Sequence, residues 1–265
     1  MDTIAEYKEG QKERWRHFLL TQERTAPAAG QLVKHAGIRA GQRVLDVACG
    51  TGVVAVTAAR RGAHVTGLDL TPELLERAKE NAEIAEVTVT WMEGDVEELP
   101  FANESFDVVT SQFGHIFAPR PDVALAQMLR VLKRGGTLAI NTWASEMFTG
   151  RSMRLLASYT PPSPAGALSP ALWGDPNVVR ERLGDAVENI SFHRDAMHVA
   201  SLSPRHSRIS MEKTSGPIIK LVERLSKDDP EKLARFRAEY EALAAEYFED
   251  NILVRDFLIT TATKK

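Results

Sequence analysis

Val44-Leu45-Asp46-Val47-Ala48-Cys49-Gly50-Thr51-Gly52 leads into a helical segment and then into Val65-Thr66-Gly67-Leu68-Asp69. Val44, Leu45 and Val47 make a short apolar run suited to a parallel strand buried on both faces. Gly50 and Gly52 follow, where the backbone turns sharply and can approach a ligand that a Cβ would exclude. Val53, Val56 and Ala59 recur at helical spacing, and Gly62 marks the stop. Asp69 stands at the tip of the second strand. In an open α/β sheet an acid there can accept hydrogen bonds from both hydroxyls of a ribose. Strand, glycine turn, helix, strand and acid together predict an α/β fold with a nucleoside pocket.

Two ligand classes compete for that pocket. Gly50-Thr51-Gly52-Val53-Val54-Ala55 fits the dinucleotide pattern G-x-G-x-x-G/A and points to an NAD-dependent oxidoreductase. Asp46 argues against it, because a carboxylate inside the strand repels a pyrophosphate and attracts a cationic ligand carrying an amino group. Residues 44–52 resemble motif I of the class I S-adenosylmethionine (SAM)-dependent methyltransferases, V-L-D-x-G-x-G-T-G, with Ala48 in place of the first glycine. The resemblance implies SAM as cofactor and S-adenosylhomocysteine (SAH) as product. It implies a Rossmann-like, doubly wound, seven-stranded sheet with an antiparallel last strand and a helical insertion or lid. Under it, Asp46 and the backbone of Ala48, Cys49, Gly50, Thr51 and Gly52 hold the methionine part, Asp69 the ribose, and Leu70 lies against the adenine.

Composition bounds the reading. The chain has 265 residues, 43% hydrophobic and 26% charged, which suits one large α/β domain with a packed core. A net charge of −3 disfavours a broad phosphate-binding surface and a nucleic-acid partner. Cys49 is the one cysteine, so neither an intramolecular disulfide nor a cysteine-based zinc site is expected. His193, His198 and His206 lack acid partners at ligand spacing, and no metal site is expected. No apolar run reaches the roughly 20 residues of a membrane span, and the N-terminus lacks a signal-peptide core. A cytoplasmic protein, monomeric or homodimeric, is expected.

Residues 1–36 read as N-terminal cap helices, with Trp15, Phe18 and Leu19 at i, i+3, i+4. The resemblance puts such a helix over the cofactor and substrate, which makes Trp15 a substrate-side candidate. Thr71-Pro72-Glu73 starts a helix, and residues 87–91 alternate toward a third strand. Gly94-Asp95 resembles the family motif whose aspartate accepts from the adenine amino group, with Val96 completing that wall. Glu97-Glu98-Leu99-Pro100-Phe101 resembles a continuation common in the ubiquinone/menaquinone biosynthesis C-methyltransferase-like (methyltransferase type 11) group. Residues 106–111 form a fourth strand whose carboxyl end faces the switch point of the sheet. There the resemblance places Ser111 and Gln112 near the sulfonium. His115 is the candidate general base, having an unperturbed pKa near 6.5; a histidine that only shapes the pocket is the alternative. The Asn/Asp-Pro-Pro-Tyr motif of enzymes that methylate adenine or glutamine is absent here, which favours a small-molecule acceptor.

Residues 121–133 read as a helix stopped by Gly135-Gly136, and residues 137–143 as the fifth strand. Residues 129–136 resemble the family segment L-R-V-L-K-P-G-G. Beyond lies a substrate-side segment, residues 144–186, containing a proline-rich loop from Tyr159 to Gly166 and a Trp173-Gly174 pair. Phe113, Trp143, Tyr159 and Trp173 are candidate walls for an apolar or aromatic acceptor; Arg151 or Arg154 could grip an acidic group. Residues 190–200 and 252–263 read as an antiparallel strand pair. Residues 203–250 between them are a helical insertion, with Leu233, Phe236, Tyr240, Leu243 and Tyr247 in one apolar stripe. The resemblance implies one methyltransferase domain over residues 37–265. Two rivals to the enzyme are the NAD-dependent oxidoreductase and a SAM-binding protein without catalysis.

Overall fold

The computed structural model describes residues 3–17, 22–161 and 168–265. Its sheet runs β3 (Val89–Glu93), β2 (His64–Asp69), β1 (Arg43–Val47), β4 (Phe106–Gln112), β5 (Leu132–Trp143), β8 (Ile252–Lys264), β6 (Val187–Ala200). The first five pair in parallel; β8 runs antiparallel to both β5 and β6. From β1 the chain winds outward through β2 to β3, then returns to β4 on the other side of β1. The crevice between β1 and β4 is therefore the switch point, where open sheets of this kind hold ligands beyond the strand carboxyl ends. Asp46 lies opposite Gly67 on one side and Thr110 on the other, at the floor of that crevice.

The central strands read apolar because they have no solvent face: Val44, Leu45, Val47, Val108 and Val109 are fully buried. Helices α2 (Ala26–His35), α3 (Val53–Ala59) and α5 (Pro121–Val131) supply apolar stripes that cover them, while α4 (Pro72–Ile84) packs beside β2 and β3. Gly62, at φ +83°, closes the turn after α3 as its position suggests.

Two expectations change, and a third gains detail. The sheet has eight strands, because β7 (Phe248–Glu249) folds back on β8 through Asp250 and Asn251. Both turn residues have positive φ, 47° and 62°, the geometry of a tight hairpin, and Asp and Asn tolerate it better than most residues. The helix after Pro121 stops at Val131, and β5 begins at Leu132. Gly135 and Gly136 thus lie inside the strand, where the pairing jumps from Phe106↔Leu132 to Val108↔Thr137 and the extra residues are accommodated as a bulge. The insertion before β8 is three helices, α8 (Pro204–Thr214), α9 (Gly216–Asp228) and α10 (Pro230–Ala245). Each begins with proline in its first turn. Ser203 and Asp229 cap α8 and α10, accepting from the His206 and Lys232 N–H groups at 3.0 and 2.8 Å.

Leu233, Phe236, Tyr240 and Leu243 of α10 are covered within the chain. They share a cluster with Ile218, Leu221 and Leu225 of α9, with Leu253 of β8 and with Phe148 of α6 (Phe148–Tyr159). α10 thereby fixes α6 and α9 relative to the sheet. Phe18 and Leu19 of the expected N-terminal stripe, and residues 162–167 of the proline-rich loop, lie outside the described residues. Among the described residues no helix is long and apolar enough to cross a membrane.

Phe236 is 1% exposed at the centre of that helical cluster. Phe236→Ala should cost about 3–4 kcal/mol, lowering the melting temperature by roughly 10 °C for a chain of this size. Thermal denaturation checks it, and a change below about 1 kcal/mol would mean that the cluster does not hold the insertion in place.

Candidate active site

β1 delivers the chain into a loop, residues 48–52, in which Ala48, Gly50 and Gly52 all have positive φ, at 49°, 55° and 77°. Gly52 is required for two reasons: the left-handed backbone, and the Trp91 ring, whose edge would sit 2.5 Å from an added Cβ. Ala48 accepts the strained conformation and brings its own Cβ within 2.5 Å of where one on Gly114 would stand. The two loops at the switch point therefore touch backbone to backbone.

Two aspartates hold this arrangement. Asp69 accepts from Gly50 N–H with one carboxylate oxygen and from Thr71 N–H with the other, at 2.7 and 2.8 Å. Asp46 accepts from the Thr110 hydroxyl at 3.1 Å and from Ala55 N–H at 3.2 Å, tying β1 to β4 and to α3. Burial pushes the Asp46 carboxyl up to about 7 and also raises Asp69. Neither has a cationic partner among the described residues.

Both aspartates line a cavity of about 280 Å³ at the crevice mouth. Ala48, Cys49, Gly50, Thr51, Leu70, Gly94, Asp95, Val96 and Gln112 join them there. The Thr51 hydroxyl is buried and has no hydrogen-bond partner among the described residues. Asp95 turns its own loop by accepting from Glu97 N–H at 2.8 Å and takes Lys8 of α1 (Thr3–Trp15) on its other oxygen. Lys8 also pairs with the buried Glu97, and Trp15 lies against Phe117, ring centroids 4.4 Å apart. Through these contacts α1 forms one wall of the cavity.

Gln112 is fixed at the end of β4, donating to Thr25 O at 3.0 Å and accepting from Asn141 at 3.0 Å. Phe113, next to it, has φ +60° and stacks on Trp143 with centroids 3.9 Å apart and planes 8° from parallel. Both rings line the cavity, as does Trp15.

Several expected site residues lie elsewhere. Ser111 is fully buried in β4, where its hydroxyl donates to Val47 O at 2.8 Å, and it does not reach the cavity. Gly52 shapes the loop from beneath without lining the cavity. His115 turns the other way: its ring packs edge-on against Trp173, 4.8 Å between centroids, and is 1% exposed. Both ring nitrogens lack partners among the described residues, and burial, helped by Arg182, pushes its pKa down to about 3. A histidine so placed stays neutral and cannot meet an acceptor, so the general-base expectation is withdrawn. Trp173 is likewise core at 1% exposure, and Tyr159 packs on Phe236, so neither walls the cavity. Arg151 pairs with Glu246, and Arg154 donates to Ser145 O.

Sequence reasoning missed the other end of the cavity. There α6 presents Thr149, Met153 and Leu156, the α8–α9 junction presents Met211 and Ile218, and Arg24 and Arg255 complete the lining. Arg255 carried a readable signal: an arginine between Leu253 and Phe257 in the inward register of a strand is out of pattern. Arg24 carried none.

The comparisons with known proteins agree with this geometry. A family model described as a methyltransferase domain matches residues 44–136. An uncharacterized protein of Mycobacterium tuberculosis H37Rv is 38% identical over 246 residues, spanning 92% of this chain and 89% of that protein. The ubiquinone/menaquinone biosynthesis C-methyltransferase UbiE of Rhizobium etli is 48% identical over 105 residues, 38% of this chain and 41% of that enzyme. Among solved structures, Haemonchus contortus phosphoethanolamine N-methyltransferase 2 in complex with SAM aligns with a TM-score of 0.55 at 21% identity. That alignment covers 90% of this chain and 52% of the other, and is a likeness of fold.

The Asp46 carboxyl makes the site sensitive to pH. Its folded-state pKa of about 7 lies above the unfolded value of about 3.9. The contribution of Asp46 to stability is therefore complete below about pH 4 and is lost as pH rises through 7. Asp46→Asn should fall less in stability than the wild type between those limits, by a few kcal/mol. Denaturant unfolding across the range tests this, and parallel curves would put Asp46 among ordinary carboxylates.

Proposed function

The chain belongs to the class I SAM-dependent methyltransferases, and from that premise we propose that it methylates a small-molecule acceptor held in the cavity beside the 48–52 loop. The observation that carries the reading is the pair of buried carboxyl groups, Asp46 and Asp69, which face one cavity and have no cationic partner of their own among the described residues. SAM fits that donor set. Its ammonium and sulfonium charges suit the negative end of a low-dielectric site, and its ribose hydroxyls suit a carboxylate. The pyrophosphate of a dinucleotide would meet the same two acids and be repelled.

In this reading Asp46, the backbone of residues 48–51 and the unpaired Thr51 hydroxyl hold the methionine part. Asp69 takes the ribose. Leu70, Gly94, Asp95 and Val96 form the adenine walls, and Gln112 stands at the methyl end. Lys8 already occupies one oxygen of Asp95, so α1 closes the pocket and competes for the same acid that would receive the adenine amino group.

When bound, SAM supplies a methyl group on a positively charged sulfur, open to in-line displacement by an acceptor lone pair. The chain's own contribution is positioning and exclusion of water. Phe113 and Trp143 offer a rigid aromatic wall, and Trp15 covers the opening. The titratable residues lining the far end of the cavity are Arg24 and Arg255, neither of which removes a proton at neutral pH. The acceptor must therefore be nucleophilic in its own right, or release its proton to water. A SAM-binding protein without catalysis lacks a specific observation in its favour, since the cavity continues past the methyl end.

Calorimetric titration with SAM, SAH and NAD in parallel tests the reading. Micromolar binding of the two adenosyl ligands and none of NAD is expected. Asp69→Asn should weaken SAM by more than about tenfold, or about 1.4 kcal/mol. Wild-type affinity for SAM should rise as pH passes 7, while Asp46→Asn should be flat. NAD binding in place of SAM would overturn the cofactor, and unchanged affinity in a folded Asp69 variant would remove the ribose assignment.

A further inference from the structure

Arg24 and Arg255 both face the far end of the cavity, and neither has a carboxylate partner among the described residues. Each is anchored by one neutral hydrogen bond. Arg24 Nη2 donates to Ser210 Oγ at 3.0 Å, and Arg255 Nε donates to Thr149 Oγ1 at 3.2 Å. The Arg255 guanidinium also lies 4.4 Å from the centroid of the Trp143 ring, an attraction that holds its plane but does not neutralise its charge. A guanidinium carries five donors in a fixed fork, so most of those on both residues remain for something else.

Their placement is costly. Burial holds Arg255 below the ordinary arginine value; the Tyr240 phenol beside it offsets part of that, and Arg24 is near enough to add repulsion. Two like charges beside the apolar Met153, Leu156, Met211 and Ile218 destabilise the empty protein unless a ligand compensates. Arginines retained at such a cost point to recognition of an anion with planar, bidentate geometry. The first turn of α9 opens at the same end: Ser215, Gly216 and Ile218 line the cavity, and the Ser215 side chain makes no cap. A helix N-terminus there adds to the positive potential.

We propose that the methyl acceptor is a small amphipathic anion whose carboxylate or phosphate is gripped by Arg255 and Arg24 while its apolar or aromatic body lies along Trp143 and Met153. This rests on the methyltransferase reading of the same cavity. It refines the earlier expectation of an apolar acceptor, and it moves the anion grip from Arg151 and Arg154, which are engaged elsewhere, to a pair from opposite ends of the chain.

Thermal melting in saturating SAH, at fixed ionic strength, separates the outcomes. The probes are phenylacetate, phenyl phosphate and neutral phenylacetamide, on the wild type, Arg24→Gln and Arg255→Gln. Both variants should fold, since each removes a like charge from the pocket, and should keep the SAH response. In the wild type at least one anion should bind about tenfold tighter than the amide, and whichever is stronger identifies carboxylate or phosphate. Either substitution should reduce that preference to about twofold or less. An amide as effective as the anions, or variants that respond as the wild type does, overturns the proposal. Loss of the SAH response in the wild type would instead strike the methyltransferase reading beneath it.

Discussion

The hydrogen bonds from Gly50 N–H and Thr71 N–H to the two oxygens of Asp69 are the constraint on which the site depends. They join the turn after β1 to the turn after β2, and so fix the shape of the 48–52 loop from outside it. Of the three left-handed positions in the loop, Gly50 and Gly52 adopt that conformation freely and Ala48 at a cost. Asp69 stabilises the one arrangement that keeps the loop open toward the crevice. Asp46 does the same from below, linking β1, β4 and α3.

The same acids define the electrostatics. Among the described residues, two carboxyls with no cationic partner sit at one end of a cavity, and two guanidiniums with no carboxylate partner sit among the residues of the other. Each pair costs stability in the empty protein, because burial penalises charge and like charges repel. Left unpaired among the described residues, the two pairs suit ligand groups of opposite sign at the two ends of one crevice. Orientation then comes from charge as much as from shape.

The helical insertion makes the second end possible. α8, α9 and their junction supply Met211, Ile218 and Ser215 to the far end of the crevice. Packing α10 on α6 and β8 through Phe236, Tyr240 and Leu253 brings Met211 and Ile218 over Trp143's side of the cavity. Variation in this lobe, with the β1–β4 frame unchanged, is how one scaffold serves many acceptors.

The sequence by itself determined the frame: the parallel strands, the glycine loop, the acids at 46, 69 and 95, and the antiparallel closing pair. These are local signals, in which residue type and spacing dictate backbone conformation within one βαβ unit. It also carried, unread, the three proline starts that divide the insertion and the Asp250-Asn251 hairpin. Tertiary structure alone decided which way the side chains after β4 turn. A positive φ at Phe113 sends that ring onto Trp143 and His115 into the core, and nothing in the spelling of residues 112–117 distinguishes the two directions. It alone brought Arg24 beside Arg255, residues from the first and last segments of the chain. Their meeting depends on how α6 and the insertion pack, and non-local contacts of that kind leave no periodicity to read.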